Sequence, residues 1–405
     1  MEVHNVTLLG HKDHGKSTLI GSLMILTKSV TQTRINEAKE YSKRLHKSFE
    51  PAFILDSFHE EREKGLTIDT TRAEVLYKET AFSLIDVPGH EELIDNMISG
   101  ASYANTAMLL VSAKKGEGIK DQTKRHLFIA KMLGIEKLLV AVNKMDLAGF
   151  SEAKFNKIER GLSEFARNIG FKDENVKFVP ISAYTGEDII KKSGKMPWYK
   201  GKPLLETLQD IVSTTEKKED KPLRIVLQGF LGGERDTVIG RVVKGRLNLE
   251  ENDICITPLD VNISVKSIMV GGKKAKTAQK GNEVAIKLDR RVEGEVRGTI
   301  ICGKSYCPIP RSVVKARLFL TRRPTGRSTV RFNGVEIGCR IKPLEYIDPV
   351  TGNMKKKGRM EKLSALEAEL ELAKKIPAEK FDETKELGRL AIYSDDVFSG
   401  IGIII

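Results

Sequence analysis

The sequence predicts an α/β domain with a doubly wound, mostly parallel sheet, followed by two β-barrel domains. Two observations predict the first part. Up to about residue 212 apolar runs alternate with helical patterns, the order that lays helices on both faces of a parallel sheet. The chain also opens on Gly10-His-Lys-Asp-His-Gly15-Lys16-Ser17, a GxxxxGK[ST] phosphate loop between the apolar run 6–9 and a helical pattern over 17–24. A third observation predicts the barrels: beyond residue 222 the pattern changes to short β-branched runs separated by Gly- and Asn-containing turns.

Taken in order, strands are expected over 6–9, 82–86, 107–112, 137–142 and 176–180, and helices over 90–99, 122–133, 152–168 and 204–211. Ser213-Thr-Thr-Glu-Lys-Lys-Glu-Asp-Lys221 is polar, carries no large apolar residue and runs into Pro222, so it reads as a linker. Short strands follow over 223–228, 238–243, 253–256, 263–269 and 283–287, then Pro308-Ile-Pro310 marks a second boundary. The apolar stretch 401–405 is expected to be a strand that closes a sheet. The domains expected are 1–212, a linker at 213–221, a first barrel at 222–309 and a second at 310–405.

Composition narrows the function class. At 405 residues the chain can bury two or three cores, and no apolar run of 18 residues is present, so a membrane span is not expected. The chain enters a strand almost at once, which leaves no room for a secretory signal, and a cytoplasmic protein is expected. The formal net charge of +13 at pH 7 favours a polyanionic partner, RNA above all. The excess is concentrated, with 14 Lys and Arg against 4 Asp and Glu between residues 311 and 362. Four cysteines, Cys255, Cys302, Cys307 and Cys339, lie in the second half, and no histidine follows His126. The spacing of Cys302 and Cys307 fits no zinc pattern, so buried free thiols in a reducing cytoplasm are expected.

The motifs carry the chemistry. In the phosphate loop, glycines let successive backbone amides turn toward one anion at a helix N-terminus, which assigns Asp13, His14, Gly15, Lys16, Ser17 and Thr18 to a bound nucleotide. Lys16 would reach the outer phosphates and the Ser17 hydroxyl would hold Mg²⁺. Asn143-Lys144-Met145-Asp146 follows about 125 residues later, at the end of an expected strand. The Asp146 carboxylate can accept from guanine N1–H and N2–H₂, donors that adenine lacks on that edge, so the ligand pair expected is GTP and GDP. Lys144 would lay its methylene stem on the base, and Ser182-Ala183 would offer a backbone N–H to guanine O6.

Asp86-Val-Pro-Gly89 ends another strand, where Asp86 would reach Mg²⁺ through a water and the Gly89 amide would sense the γ-phosphate. Thr67, within Arg62-Glu-Lys-Gly-Leu-Thr67-Ile-Asp69, is the hydroxyl expected to close over Mg²⁺ when GTP is bound, giving an order–disorder switch. His90 follows Gly89, in position to orient the attacking water. His11 and His14 are expected to shape the loop and take no part in chemistry.

Together these segments resemble the elongation factor Tu / elongation factor 1-alpha superfamily of GTPases, in which a His follows the DxPG element where Ras-like enzymes place a Gln. The resemblance extends through Asp95-Asn-Met-Ile-Ser-Gly-Ala101 and Met196-Pro-Trp-Tyr-Lys-Gly201, and more weakly through Gly240-Arg-Val-Val-Lys-Gly-Arg-Leu247, Arg297-Gly-Thr-Ile300 and Leu387-Gly-Arg-Leu-Ala391. It implies an α/β P-loop GTPase domain followed by two β-barrels, and carries the phosphate, metal and water roles to Lys16, Ser17, Thr67, Asp86 and His90. Three departures stand out. Lys12 replaces the usual Val of an apolar gate beside the catalytic His. The third domain has Thr329-Val-Arg-Phe-Asn-Gly-Val-Glu336 in place of the His-Thr-Ala signature of aminoacyl-tRNA carriers. Asp121-Gln-Thr-Lys-Arg-His126 and Met145-Asp-Leu-Ala-Gly-Phe-Ser-Glu152 are closer to the GTPase subunit of sulfate adenylyltransferase. Two functions are therefore expected in competition. One is a translation factor whose basic third domain brings an RNA or RNA-mimicking protein to the ribosome. The other is a regulatory GTPase working with an adenylyl-transferring catalytic subunit.

Overall fold

The computed structural model describes residues 3–55, 72–86, 104–213, 222–249 and 253–405. Thr67, Gly89, His90 and the helix expected over 90–99 lie outside the described residues. The chain divides into two compact units, residues 1–216 with 349–352 and residues 217–348 with 353–405.

The first unit is built on six strands: β1 (Val3–Gly10), β2 (Arg72–Tyr77), β3 (Thr80–Asp86), β4 (Thr106–Ser112), β5 (Lys137–Asn143) and β6 (Val176–Pro180). They lie in the order β2-β3-β1-β4-β5-β6, all parallel except β2, which pairs antiparallel with β3. Every residue of β4 is buried, the unbroken apolar run expected of a central parallel strand covered on both faces. The described helices of this unit are α1 (Lys16–Leu26), α2 (Gln32–Arg44), α3 (Asp121–Met132), α4 (Glu152–Asn168) and α5 (Leu204–Ser213). On α1, Leu19, Ile20 and Leu23 are fully buried against Val6, Leu8 and Leu110 of the sheet. On α4, Phe155, Ile158, Leu162 and Phe165 recur at helical spacing and form its buried stripe. The Ser151 side chain accepts from the Lys154 N–H and so caps that helix.

Strand β1 has β3 on one side and β4 on the other, so the chain direction of winding reverses there. A crevice opens outside the carboxyl ends of strands at such a reversal, and β1 ends at Gly10, the first residue of the phosphate loop.

The second unit carries two further β regions, the first made of an eight-strand sheet with a separate two-strand pair. The first begins with β7 (Arg224–Phe230), β8 (Thr237–Lys244), β9 (Arg246–Asn248), β10 (Ile254–Thr257) and β11 (Val261–Ile263). It continues with β12 (Val265–Val270), β13 (Lys273–Ala275), β14 (Thr277–Gln279), β15 (Glu283–Leu288) and β16 (Ile300–Gly303). Eight of these strands run in the order β11-β10-β16-β7-β8-β15-β12-β13, with β9 and β14 forming a separate pair. The run expected to be a single strand over 263–269 is interrupted at Ser264, whose N–H donates to Asp289 at 2.9 Å. Since β11 and β12 sit toward opposite ends of the order yet adjoin in the chain, the sheet curls round on itself.

The last sheet contains β17 (Arg311–Leu320), β18 (Ser328–Phe332), β19 (Val335–Ile347), β20 (Met354–Lys355), β21 (Ser364–Ile376), β22 (Arg389–Ser394) and β23 (Val397–Ile404). Its order β18-β22-β23-β17-β21-β19 is closed by a further pairing of β18 with β19, which makes a six-strand barrel with β20 as a short appendage of β19. Strand β23, expected from the terminal apolar stretch, is seated between β17 and β22. Leu318, Leu320, Val330, Phe332, Leu366, Leu370, Leu390 and Ile392 fill this core.

A buried ion pair joins segments of this unit. Arg224 of β7 donates through Nε to Glu379 at 2.7 Å and through a terminal nitrogen to the Tyr306 carbonyl at 2.7 Å. Two charges taken from water need partners of this quality, and removing one strands the other.

Candidate nucleotide site

The phosphate loop is held in shape by contacts within it and with its neighbours, among them the His14 N–H donating to the His11 carbonyl at 3.1 Å. Gly10 has φ +144° and a side chain there would lie 2.7 Å from the Leu110 carbonyl oxygen. Gly15 has φ +88°, and its Cβ would meet the Asn143 side-chain nitrogen at 2.6 Å. Both positions therefore exclude every residue but glycine, on conformation and on space. Between them Lys12–His14 form a single 3₁₀ turn, and α1 starts at Lys16 with Gly15 as its N-cap. No side chain caps that helix. Its first amides and its dipole are the means by which the loop can hold an anion.

His14 is fully buried and its Nδ1 lies 3.0 Å from the Leu110 carbonyl. Burial, opposed in part by that bond, pushes its pKa from 6.5 down to about 4, so the ring is a neutral donor that ties the loop to β4. The loop-shaping role expected of His14 has this geometric basis. His11 lies beside it, with ring centroids 5.3 Å apart. Its Nδ1 accepts weakly from the Asp13 N–H at 3.4 Å. Lys12 and Asp13 are exposed.

Lys16 is 6% exposed, and its ammonium donates to the Gly10 carbonyl at 2.8 Å and to the His11 carbonyl at 3.4 Å. Burial lowers its pKa, against the opposing pull of the Asp86 and Asp13 carboxylates. The ammonium is thus poised inside the loop, within the reach of the anion the loop would cradle. Ser17 is exposed on the first turn of α1, and Thr18 is half-buried behind it. Asp86 ends β3 at the register position of Leu8, so the sheet places its carboxylate beside the loop. An exposed hydroxyl on the first turn of α1 and a carboxylate at the end of β3 are hard oxygen donors of the kind Mg²⁺ takes, and these residues fit that ion.

The segment expected to bind the base is equally ordered. Asn143 ends β5, donates to the His14 carbonyl at 2.9 Å and accepts from the Ala183 N–H at 2.8 Å. It therefore fastens the phosphate loop to the segment Ser182–Ala183. The Ser22 hydroxyl donates to the Ala183 carbonyl from the other side. The amide expected to meet guanine O6 is thus already engaged by Asn143, and a base at this edge shares or displaces that bond.

Lys144 has φ +60°, which turns its side chain out of the strand, and its ammonium lies 2.8 Å from Glu117. Burial raises the Glu117 pKa, but hydrogen bonds from Lys144, Ser112 and Lys114 outweigh it and hold the carboxyl at about 2. Asp146 Oδ1 is buried without a hydrogen-bond partner. A buried carboxylate oxygen is costly to leave so, and an incoming N–H pair satisfies it. Sequence reasoning missed Glu117 and Ser22, because neither stands in a motif. The only signal for Glu117 is its place beyond the end of β4.

Comparison with known proteins agrees with the fold and the loop. Residues 1–214 match the family model for the elongation factor Tu GTP binding domain. Elongation factor 1-alpha of Sulfurisphaera tokodaii is 36% identical over 99% of this chain and 96% of its own length. The elongation factor 1-alpha of Hyperthermus butylicus is 33% identical over 99% of this chain and 95% of its own. Among solved structures, Sup35 complexed with GDP covers 100% of this chain and 94% of that one at 23% identity, with a TM-score of 0.43. With a guanine-nucleotide loop at its head and near-full-length likeness behind it, the chain belongs to the elongation factor Tu / elongation factor 1-alpha family of translation GTPases.

Proposed function

We propose that this translation-factor-type GTPase uses GTP to dock an RNA or an RNA-mimicking protein on the ribosome and lets go when the γ-phosphate is cleaved. The observation that best supports a guanine-specific switch is the buried, partnerless Asp146 oxygen beside the Asn143 fastening. Asp13, His14 and Gly15 present the loop amides, Lys16 shifts from the Gly10 and His11 carbonyls onto the outer phosphates, and Thr18 follows in the same helical turn. Ser17, Asp86 and Thr67 would hold Mg²⁺, which when bound neutralises the charge shared by the β- and γ-phosphates. Lys144 packs along the base with Glu117 fixing its far end, and Ser182 and Ala183 form the base's outer wall. Gly89 senses the γ-phosphate and His90 orients the attacking water.

The partner is argued from charge. The basic stretch expected to contact RNA is partly neutralised within its own barrel: Lys315 and Arg317 pair with Glu367, and Lys342 pairs with Glu369 and Glu371. Arg331 and Lys355 pair likewise with Glu336 and Asp348, and the exposed faces of these Arg and Lys side chains are the surface offered to a polyanion. The relatives compared above are elongation factors, and the sulfate-activating alternative finds no support in them. A role in the cytoplasm follows from this reading; no described helix is long and apolar enough to cross a membrane.

The test is GTP turnover by the purified chain alone and with ribosomes, with protection of aminoacyl-tRNA from deacylation measured in parallel. Ribosomal stimulation without tRNA protection is the expected result, given the absent His-Thr-Ala. Turnover indifferent to ribosomes would remove the proposal.

A further inference from the structure

Cys255 meets Cys302 and Cys307, the last of them 52 residues further on, in the second unit. Cys255 of β10 and Cys302 of β16 stand directly opposite in the antiparallel ladder, with sulfurs 3.7 Å apart. The 3₁₀ turn Lys304–Tyr306 then folds the chain back, so that the Cys307 sulfur lies against both of the others. All three sulfurs fall within 4.8 Å of one another. Cys255 is 8% exposed and Cys302 fully buried, while Cys307 is half-buried at the mouth. The dispersed buried thiols expected from spacing are in fact a cluster, which a sequence separation of 52 between Cys255 and Cys307 conceals.

We propose that Cys255, Cys302 and Cys307 form a three-thiolate site for one soft, thiophilic cation, Zn(II) or Cu(I). A sulfur forms one S–S bond, so a disulfide among three leaves a thiol stranded against it. The Cα atoms of Cys302 and Cys307 are 5.5 Å apart, within the span of a disulfide, but those of Cys255 and Cys307 are 7.7 Å apart, beyond it, so a disulfide takes only the first pair and leaves Cys255 a thiol. A metal ion bridges such a span and uses all three sulfurs at once. Zinc with thiolates at about 2.3 Å sets sulfurs just under 4 Å apart, the separation seen between Cys255 and Cys302.

The donor set selects the class of ion. Thiolates favour Zn(II), Cu(I) and other soft ions over Mg²⁺ or Ca²⁺. The described His, Asp and Glu side chains add no fourth ligand to the group. The site is therefore trigonal, as suits Cu(I), or tetrahedral with one position left to water at the half-buried mouth, as suits Zn(II). The frame is built in advance. Arg224 stands opposite Cys302 on the neighbouring strand and donates to the carbonyl of Tyr306, the residue before Cys307. Its guanidinium, held by Glu379, fixes the turn that carries Cys307.

The full chain, reduced and free of oxygen and chelator, is titrated separately with Zn(II) and with Cu(I), using competing chromophoric chelators. Co(II) is added as a spectroscopic probe of thiolate coordination. One equivalent per chain is expected, with thiolate-to-cobalt charge-transfer absorption and a rise in melting temperature. Affinity should fall by more than about a hundredfold in Cys302→Ser and Cys307→Ser, since losing an outer partner alone costs about ten- to a hundredfold. Cys339→Ser, outside the cluster, should bind like the parent chain. If Cys302→Ser fails to fold by circular dichroism, Cys307→Ser at the open mouth decides the matter. Failure of the parent chain to bind either ion would overturn the proposal. So would equal binding by Cys307→Ser, or a Cys302–Cys307 disulfide mapped in the chain as isolated, before any reductant is added.

Discussion

The side-chain amide of Asn143 donates to the carbonyl oxygen of His14 at 2.9 Å, across 129 residues of sequence. Its oxygen takes the Ala183 N–H, so one amide joins the phosphate loop, the base-recognition strand and the wall of the base pocket. Asn143→Ala removes both bonds and leaves a buried carbonyl and a buried N–H unpaired, each costing about 1–3 kcal/mol. Chemical denaturation should show a loss of about 2–6 kcal/mol for the two together. Affinity for GDP, measured by fluorescent-nucleotide displacement, should fall by at least ten-fold, and unchanged affinity would mean the loops are held by something else.

Asp146→Asn exchanges an acceptor for a donor at the buried edge proposed to meet the base. Preference should move from guanine toward xanthine nucleotides, because xanthine presents an oxygen where guanine presents N2–H₂. Competition between GTP and XTP reads this directly. Retained GTP preference would take Asp146 out of the base pocket.

Gly15→Ala asks an L-residue to sit at φ +88° with its methyl 2.6 Å from the Asn143 nitrogen. The conformation alone costs about 1–2 kcal/mol, and the clash pushes on the Asn143 fastening. Nucleotide binding should be lost while the second unit, measured by limited proteolysis, keeps its protection. Binding equal to that of the parent chain would show that the loop is not the nucleotide cradle.

Acid should loosen the first unit over a defined range. His14 and His126 are both held neutral, chiefly by burial, with pKa lowered from 6.5 to about 4. The unfolded chain binds more protons than the folded one between these values, so stability is full above pH 6.5 and is lost as pH falls toward 4. Each ring contributes on the order of 3 kcal/mol to that limb. Neither nitrogen of His126 has a hydrogen-bond partner. His126→Leu should therefore raise stability at pH 7.5 by about 1–2 kcal/mol and flatten the acid limb. Urea midpoints across the range decide it, and a limb as steep as before would acquit the ring.

The elements that could be read from sequence are those where one physical signal acts alone. Strand β6 and helix α4 fall where their apolar patterns place them, because each buries a clean face. Helix α2 escaped notice since only Ala38 and Ser42 are buried on it, which leaves no stripe to see. Strand β2 does alternate buried and exposed residues, but it is an antiparallel edge on a sheet read as βαβ, and the alternation between Arg72 and Tyr77 was not used. The curl at Ser264 could not be read either, since its cause is a hydrogen bond to Asp289, 25 residues away. In the site the phosphate loop and the Asn143–Asp146 segment were legible as motifs, because nucleotide chemistry fixes their spacing. Glu117, Ser22 and the convergence of Cys255 with Cys302 and Cys307 depend on through-space neighbours that no local pattern encodes.

Strand β23 sits between β17 and β22, yet it is the last strand of the barrel to leave the ribosome during synthesis. Until Ile404 has emerged, β17 and β22 each present a bare hydrogen-bonding edge, the feature that invites pairing with other chains. The barrel cannot close stepwise as it is made; it closes at once, from the end. A nascent chain stalled short of this strand would carry a finished nucleotide unit joined to an open, adhesive sheet, and is the form of this protein most in need of a chaperone.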